Sequence, residues 1–216
     1  MNIKFVFKNY FNLTSNTAFG IDLRTWLKLL AHNRFAIDIR FLPKVLFITG
    51  NVVMNIPLQI SERLKYNRKI KAAEVKSPLF ILGHPRSGTT YLLNVLSRDP
   101  QFAFCQTYEA LTPHIFLTTG SFTKKLLKKT MPATRPQDNV KTGADMPIEE
   151  EFAMGSISDT SLVHGYYFPR SLKRMFDEAV VFEQNSPAKK LHWQQRFDVE
   201  SCDVAIIGDN TNHSTC

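Results

Sequence analysis

The apolar positions fall into distinct rhythms along the chain. In residues 22–32, DLRTWLKLLAH, Leu23, Trp26, Leu27 and Leu30 recur at i, i+3, i+4 and i+7. That spacing predicts a short amphipathic helix with those four side chains on its buried face. Residues 43–70 predict a longer helix that starts apolar and ends basic in SERLKYNRKIKAAE, where lysines and arginines suit the negative end of the helix dipole. Its apolar part, VLFITGNVVMNIPLQI at 45–60, is interrupted by Gly50, Asn51, Asn55 and Pro57. It falls short of the ~20 clean apolar residues of a spanning helix. It reads as buried or as lying at an interface, with peripheral membrane contact through residues 43–71.

The pattern then changes. Ser77-Pro78 is a break, and Leu79-Phe80-Ile81-Leu82 is a continuous apolar run closed by Gly83, which is how a buried parallel strand reads. A polar turn follows over His84–Gly88, a helical pattern resumes over Thr89–Ser97, and Asp99-Pro100 stops it. Strand, glycine loop and helix are the opening unit of many α/β nucleotide-binding folds. The expected architecture is therefore α/β, a P-loop-like parallel sheet flanked by helices, incomplete, with a helical N-terminal segment. Further helices are expected over 116–129, after Asp145, over 170–184 and over 187–197, with a loop at 132–147. Asp145 is expected to cap its helix, with Pro147 in the first turn and Glu149, Glu150 and Glu151 near its positive end. An acceptor-binding or catalytic role for these carboxylates is the other reading.

Charge divides the 216 residues unevenly. Residues 1–76 hold 13 lysines and arginines against four acids, whereas residues 77–216 hold 14 against 15. The basic field of the first third favours an anionic partner or simply solubility. It lacks the interleaved aromatics of a nucleic-acid surface, so no nucleic-acid partner is expected. Cys105, Cys202 and Cys216 show no metal-ligand or disulfide spacing. No metal is expected, and a reducing compartment fits. The start, MNIKFVFKNYFNL, lacks the apolar core and cleavage site of a secretory leader. A cytoplasmic location, peripheral to the membrane, is the expectation. The domains divide as 1–76, basic and helical, 77–197, the α/β unit, and 198–216, an atypical tail expected to be disordered or to add one strand.

The chemistry concentrates in Gly83-His84-Pro85-Arg86-Ser87-Gly88-Thr89-Thr90. The spacing is GxxxxGTT, with Thr89 where a triphosphate-binding loop would carry lysine. Backbone N–H groups around Gly88 and the positive end of the next helix still make an anion cradle. Arg86 adds a permanent forked cation, and Thr89 and Thr90 add hydroxyls. The loop is suited to a phosphate-like group and not to metal-dependent triphosphate cleavage.

Pro85-Arg86-Ser87-Gly88-Thr89-Thr90 resembles the 5′-phosphosulfate loop of sulfotransferases that use 3′-phosphoadenosine 5′-phosphosulfate (PAPS). PLFILGHPRSGTTYLLNVLSRDPQFA, then Thr107-Tyr108-Glu109, then RPQDNVKTGADMPIEEEFA at 135–153 together resemble one microbial group of that family, over roughly residues 20 to 197. The resemblance implies PAPS as donor, held by the Pro85–Thr90 loop. Arg86 would steady charge on the bridging oxygen, and the amides and hydroxyls of Ser87, Gly88, Thr89 and Thr90 would hold phosphate and sulfuryl oxygens. The acceptor would be a hydroxyl or an amine. The base that removes its proton would be Glu109 first, by likeness to a glutamate of tyrosylprotein sulfotransferases, then His114, then His84. The family's 3′-phosphate element has no match in this chain, and the likeness stops near Phe197. The chain reads as truncated at its C-terminus, with its own turnover and oligomeric state open. Two other readings compete. A P-loop kinase or NTPase is weakened by Thr89. A non-catalytic membrane-associated binding protein would rest on the basic N-terminal helices.

Overall fold

The computed structural model describes residues 20–72, 79–81, 83, 87–134, 140–183 and 185–198. His84, Pro85 and Arg86, and all of the tail after Asp198, lie outside the described residues. The elements are helical: α1 (Leu23–His32), α2 (Leu42–Ala72), α3 (Thr89–Leu96), α4 (Thr107–Leu111), α5 (Phe116–Thr130), α6 (Glu151–Ile157) and α7 (Leu172–Phe176). A final helix, α8, occupies 187–198.

The expected parallel sheet is not seen. Among the described residues no strand forms. The only pairings there are two isolated antiparallel bridges, Gln106 with Pro147 and Thr134 with Lys141. Leu79 and Phe80 stay mostly exposed. A lone extended segment gains nothing from strand geometry unless a neighbour accepts its hydrogen bonds, and none is at hand among the described residues. Aromatic stacking takes that place. Phe80 stacks on Phe197 at 6.1 Å, Phe197 stacks on Trp193 at 5.6 Å, and Trp193 meets Phe182 edge-on at 5.2 Å. The segment entering the loop is thereby held against α8.

α1 starts where Asp22 accepts from the Thr25 amide (3.0 Å) and the Thr25 hydroxyl (2.6 Å). This is an N-cap through a carboxylate. It ends where the Asn33 side chain donates to the Leu29 carbonyl and Arg34 and Phe35 turn left-handed, at φ 54° and 51°. Its buried face is Thr25, Trp26, Leu29 and Leu30, and Leu27 is 48% exposed. The face is turned from the expected set because Leu23, Trp26, Leu27, Leu29 and Leu30 span a wide arc, and packing chose which part of it to bury. That packing is a core of Ile21, Trp26, Leu29, Leu30, Ile48, Val52 and Met175. The Trp26 indole donates to Thr49 Oγ1 on α2 at 3.0 Å, and Thr49 donates to the Val45 carbonyl.

α2 runs straight through Pro57, whose missing N–H leaves the Val53 carbonyl without its helical donor on the outer side. Its buried positions, Ile48, Val52, Asn55, Gln59 and Glu62, step by 4 and 3 along one seam. That seam is apolar at first and polar later. Glu62 explains the change, because its Oε2 accepts from the Thr118 amide at 2.7 Å. α5 has no capping side chain at Ile115, so a glutamate from another helix satisfies its first-turn donors.

A second core gathers Tyr108, Leu111, Phe116, Leu127 and Ala144 between α4 and α5. A third joins Cys105, Ala110 and Ala153 between α4 and α6. Asp145 does not cap a helix: α6 begins at Glu151 behind Glu150, five residues later than expected. Asp145 instead bridges Lys124 and Lys128 on α5, each at 2.5 Å. Two cations one helical turn apart outcompete a cap for a carboxylate.

Candidate functional site

The loop closes tightly at Gly83. A Cβ there would come within 2.6 Å of Thr89 Cγ2 and 3.0 Å of Ser87 Oγ, so any larger residue would have to displace those side chains. At the other end Gly88 adopts φ 98°, in the left-handed region, and stands as the N-cap of α3. Its carbonyl accepts the first helical bond from Leu92 at 3.0 Å. Having no side chain, it offers no acceptor to the first-turn amides of Thr89, Thr90 and Tyr91. Open space surrounds it, with no atom within 4 Å of where a Cβ would stand. The first turn of α3 thus keeps its donors and its share of positive dipole.

Thr90 is already engaged. Its hydroxyl donates to Glu149 Oε1 at 2.9 Å. Glu149 reaches α3 because its segment is laid against the start of α4. Thr107 N donates to the Met146 carbonyl at 3.0 Å, Ile148 N to the Cys105 carbonyl at 3.0 Å, and the Thr107 hydroxyl to Met146 at 2.9 Å. The three glutamates of this block then diverge. Glu149 faces α3. Burial, reinforced by the charge of Glu149, pushes the Glu150 carboxyl up. Glu151 accepts from the Ser161 hydroxyl (2.7 Å) and the Leu162 amide (2.8 Å) and fixes the turn after α6.

Glu109, on α4, is 1% exposed. Its Oε2 accepts from the Gln106 amide at 2.6 Å, and the Gln106 side chain in turn accepts from the Glu109 amide. This reciprocal pair is a capping box. The other oxygen, Oε1, is buried without a hydrogen bond of normal geometry. Burial pushes the carboxyl above the ordinary glutamate range, against the pull of the Gln106 amide, Tyr108 and Lys124. Lys124 itself lies 4.6 Å from the centre of the Tyr108 ring.

His114 sits at the far end of α4. Its Nε2 lies 3.4 Å from Asp22 Oδ2, at the cap of α1. Burial works against the Asp22 charge, but His114 and Thr25 outweigh it and hold the carboxyl far below the usual range. The proposed site residues thus divide. Ser87, Gly88, Thr89 and Thr90 stand together with Glu149, whereas Glu109 and His114 bond to their own surroundings. Among the described residues no hydrogen bond joins either of them to the loop. Glu149 as the partner of Thr90, and Glu62 as the cap of α5, were not foreseen as such. The signal for Glu62 was its place as the one acid of α2, in register with Ile48, Val52, Asn55 and Gln59.

A half-open polar cleft lies elsewhere, lined by His32, Asp159, Thr160, His164, Arg174 and Glu178 among others. None of the loop residues lines it. Among the described residues no group of three or more His, Cys, Asp and Glu side chains could hold a metal ion.

A profile described as the sulfotransferase family matches residues 78–187, which contain the loop, α3, Glu109 and Glu149. The span is just over half of the chain, and the chain belongs to the sulfotransferase family. Among its relatives are two proteins named omega-hydroxy-beta-dihydromenaquinone-9 sulfotransferase Stf3, from Mycobacterium bovis and Mycobacterium tuberculosis. Each is 27% identical over 177 residues, which are 82% of this chain and 45% of the relative. The chain therefore spans less than half the length of these curated relatives. No solved structure matches it.

Proposed function

We propose that this chain carries the donor-gripping part of a sulfotransferase that moves a sulfuryl group from PAPS to an acceptor hydroxyl. The observation that carries the reading is the bare, left-handed Gly88 at the head of α3. It leaves first-turn amides open to an oxyanion in a sequence that also supplies Arg86. The fit to a phosphate-like group rests on those amides and on the space around Gly88.

In this reading the amides of Gly88, Thr89 and Thr90 hold the 5′-phosphate and sulfuryl oxygens. Arg86 and Ser87 supply further donors, as the family likeness implies. The Thr90 hydroxyl hydrogen is committed to Glu149, so Thr90 contributes through its backbone N–H. An acceptor oxygen attacks sulfur and the bond from sulfur to the bridging oxygen breaks. The electron pair leaves with the phosphate, and the acceptor proton passes to a carboxylate. Preorganised donors at the bridging oxygen are worth ~3–4 kcal/mol each in comparable sites.

Glu149 is our first choice for that carboxylate, because it is bonded to the loop helix itself. Glu109 is the second. Burial raises its carboxyl above the ordinary glutamate range, which strengthens it as a proton acceptor. His114 is retained as a third. The acceptor class is proposed from the relatives, whose name specifies a hydroxyl on a menaquinone derivative.

The test is a thermal-shift titration of the 216-residue chain with 3′-phosphoadenosine 5′-phosphate, beside ATP and an Arg86→Ala variant. A saturable rise of the midpoint specific to the bisphosphate and lost in the variant is expected. A shift with ATP alone, or an equal shift in the variant, would sink the reading.

A further inference from the structure

We propose that the outer face of α2 is a docking surface for an anionic membrane, on which the helix lies flat. The inference rests on α2 alone and stands whether or not the donor reading holds. α2 carries two seams. The inner one packs on α1 and α5. The outer one repeats the 4 and 3 spacing at Leu46, Gly50, Val53, Pro57, Ile60 and Leu64. There Leu46 is 62% exposed, Val53 51%, Ile60 53% and Leu64 83%. Met54 beside it is 76% exposed, and Ile39 and Phe41 extend the apolar face toward the N-terminus.

This helix is arranged against the usual rule in its second half. Asn55, Gln59 and Glu62 are buried while Ile60 and Leu64 face outward. A run of large exposed side chains of this kind marks a surface meant to be covered. Charge identifies what covers it. α2 holds six bases, Lys44, Arg63, Lys65, Arg68, Lys69 and Lys71, and its single acid, Glu62, is buried. The exposed charge of the helix is therefore wholly positive. Arg68 and Lys71 prolong the outer seam just past Leu64, where a headgroup layer would meet it. An apolar stripe bordered by lysine and arginine is the pattern of an interfacial helix.

Residues 39–72 pass the length and hydropathy requirements of a membrane-crossing helix. The inner seam favours a helix that lies flat over one that crosses. Glu62 holds the Thr118 amide and Trp26 holds Thr49, so one side of α2 is committed to α1 and α5. Lipid can reach only the outer side. From Leu46 to Leu64 the stripe is about 27 Å long at 1.5 Å per residue, enough to seat several turns in the interface.

The experiment is co-sedimentation of the whole 216-residue chain with two kinds of vesicle. One is phosphatidylcholine alone, and the other is phosphatidylcholine with phosphatidylglycerol. Expected is binding to the second that is at least about tenfold tighter and weakened by salt. The joint variant Leu46→Ser, Val53→Ser, Ile60→Ser, Leu64→Ser abolishes it. The pair Arg68→Gln, Lys71→Gln lowers it about tenfold or more. All these side chains are outside the core, and unchanged circular dichroism verifies that the variants fold. Absence of binding to either vesicle overturns the proposal, as does equal binding by the serine variant. A dimer in light scattering that the serine variant dissolves would overturn it in favour of a second copy as the occupant.

Discussion

The Thr90 hydroxyl donates to Glu149 Oε1 over 2.9 Å, joining positions 59 residues apart in the chain. This one bond ties the helix behind the loop to the segment that also positions α4 and α6. Hydrogen bonds to a charged acceptor contribute about 1.5–3 kcal/mol. A double-mutant cycle of Thr90→Val and Glu149→Ala in urea should therefore give a coupling of about 1–2 kcal/mol. Strict additivity would mean that the contact contributes nothing.

Glu109 predicts a pH dependence. Its folded carboxyl titrates above the ordinary 4.5, with burial as the main cause. The folded chain then keeps a proton that the unfolded chain has released. The stability from this group is full below about 4.5 and lost as pH rises through the raised value. Glu109→Gln keeps a side chain suited to a capping box. The variant should gain on the wild type as pH rises from 4.5 toward 7, in denaturation curves at each pH. A loss over that range would reverse the assigned sign.

The face of α1 can be tested with two leucines. Leu29→Ala removes a side chain that is 2% exposed and should cost about 2–5 kcal/mol. Leu27→Ala, at a half-exposed position, should stay within about 0.5 kcal/mol. Equal losses in the two variants would contradict the observed rotation of the helix.

Glu62 predicts a cap that acts at a distance. Glu62→Ala leaves the Thr118 amide without its acceptor at the head of α5 and should cost about 1–3 kcal/mol. Glu62→Gln retains a carbonyl acceptor and should recover most of that loss. Hydrogen exchange at Thr118 gives the residue-level check, with faster exchange expected in the alanine variant only.

Gly88→Ala meets no atom, yet it forces an L side chain into φ 98°. It should cost about 1–2 kcal/mol. Gly88→Asn should be milder, because asparagine tolerates the left-handed region. If the donor reading holds, the alanine variant also weakens bisphosphate binding.

Local pattern revealed most of the helices. α1, α2, α3 and α5 follow from periodicity and from Asp99-Pro100 as a stop. What it missed was tertiary choice. Leu79–Leu82 has the composition of a strand, but strand formation depends on neighbours that composition does not supply. Asp145 has the chemistry of a cap, yet Lys124 and Lys128 lie across space and claim it. The same holds for the candidate site. The loop residues were identifiable from their spacing and from Gly88. Glu149 was one of three consecutive glutamates, and only the pairing of Thr107 and Ile148 with Met146 and Cys105 aims it at Thr90.

The ring contacts from Phe80 through Phe197 to Trp193 have a practical consequence. The chain has two tryptophans. Trp26 is sealed in the core, 2% exposed, whereas Trp193 stacks within reach of the residues that enter the loop. The protein thus carries its own optical probe. Trp26 sits in the core, and Trp193 sits in the ring stack that reaches Phe80. A Trp26→Phe variant would isolate the signal of Trp193, so that, if the donor reading holds, filling of the loop is watched without any attached dye.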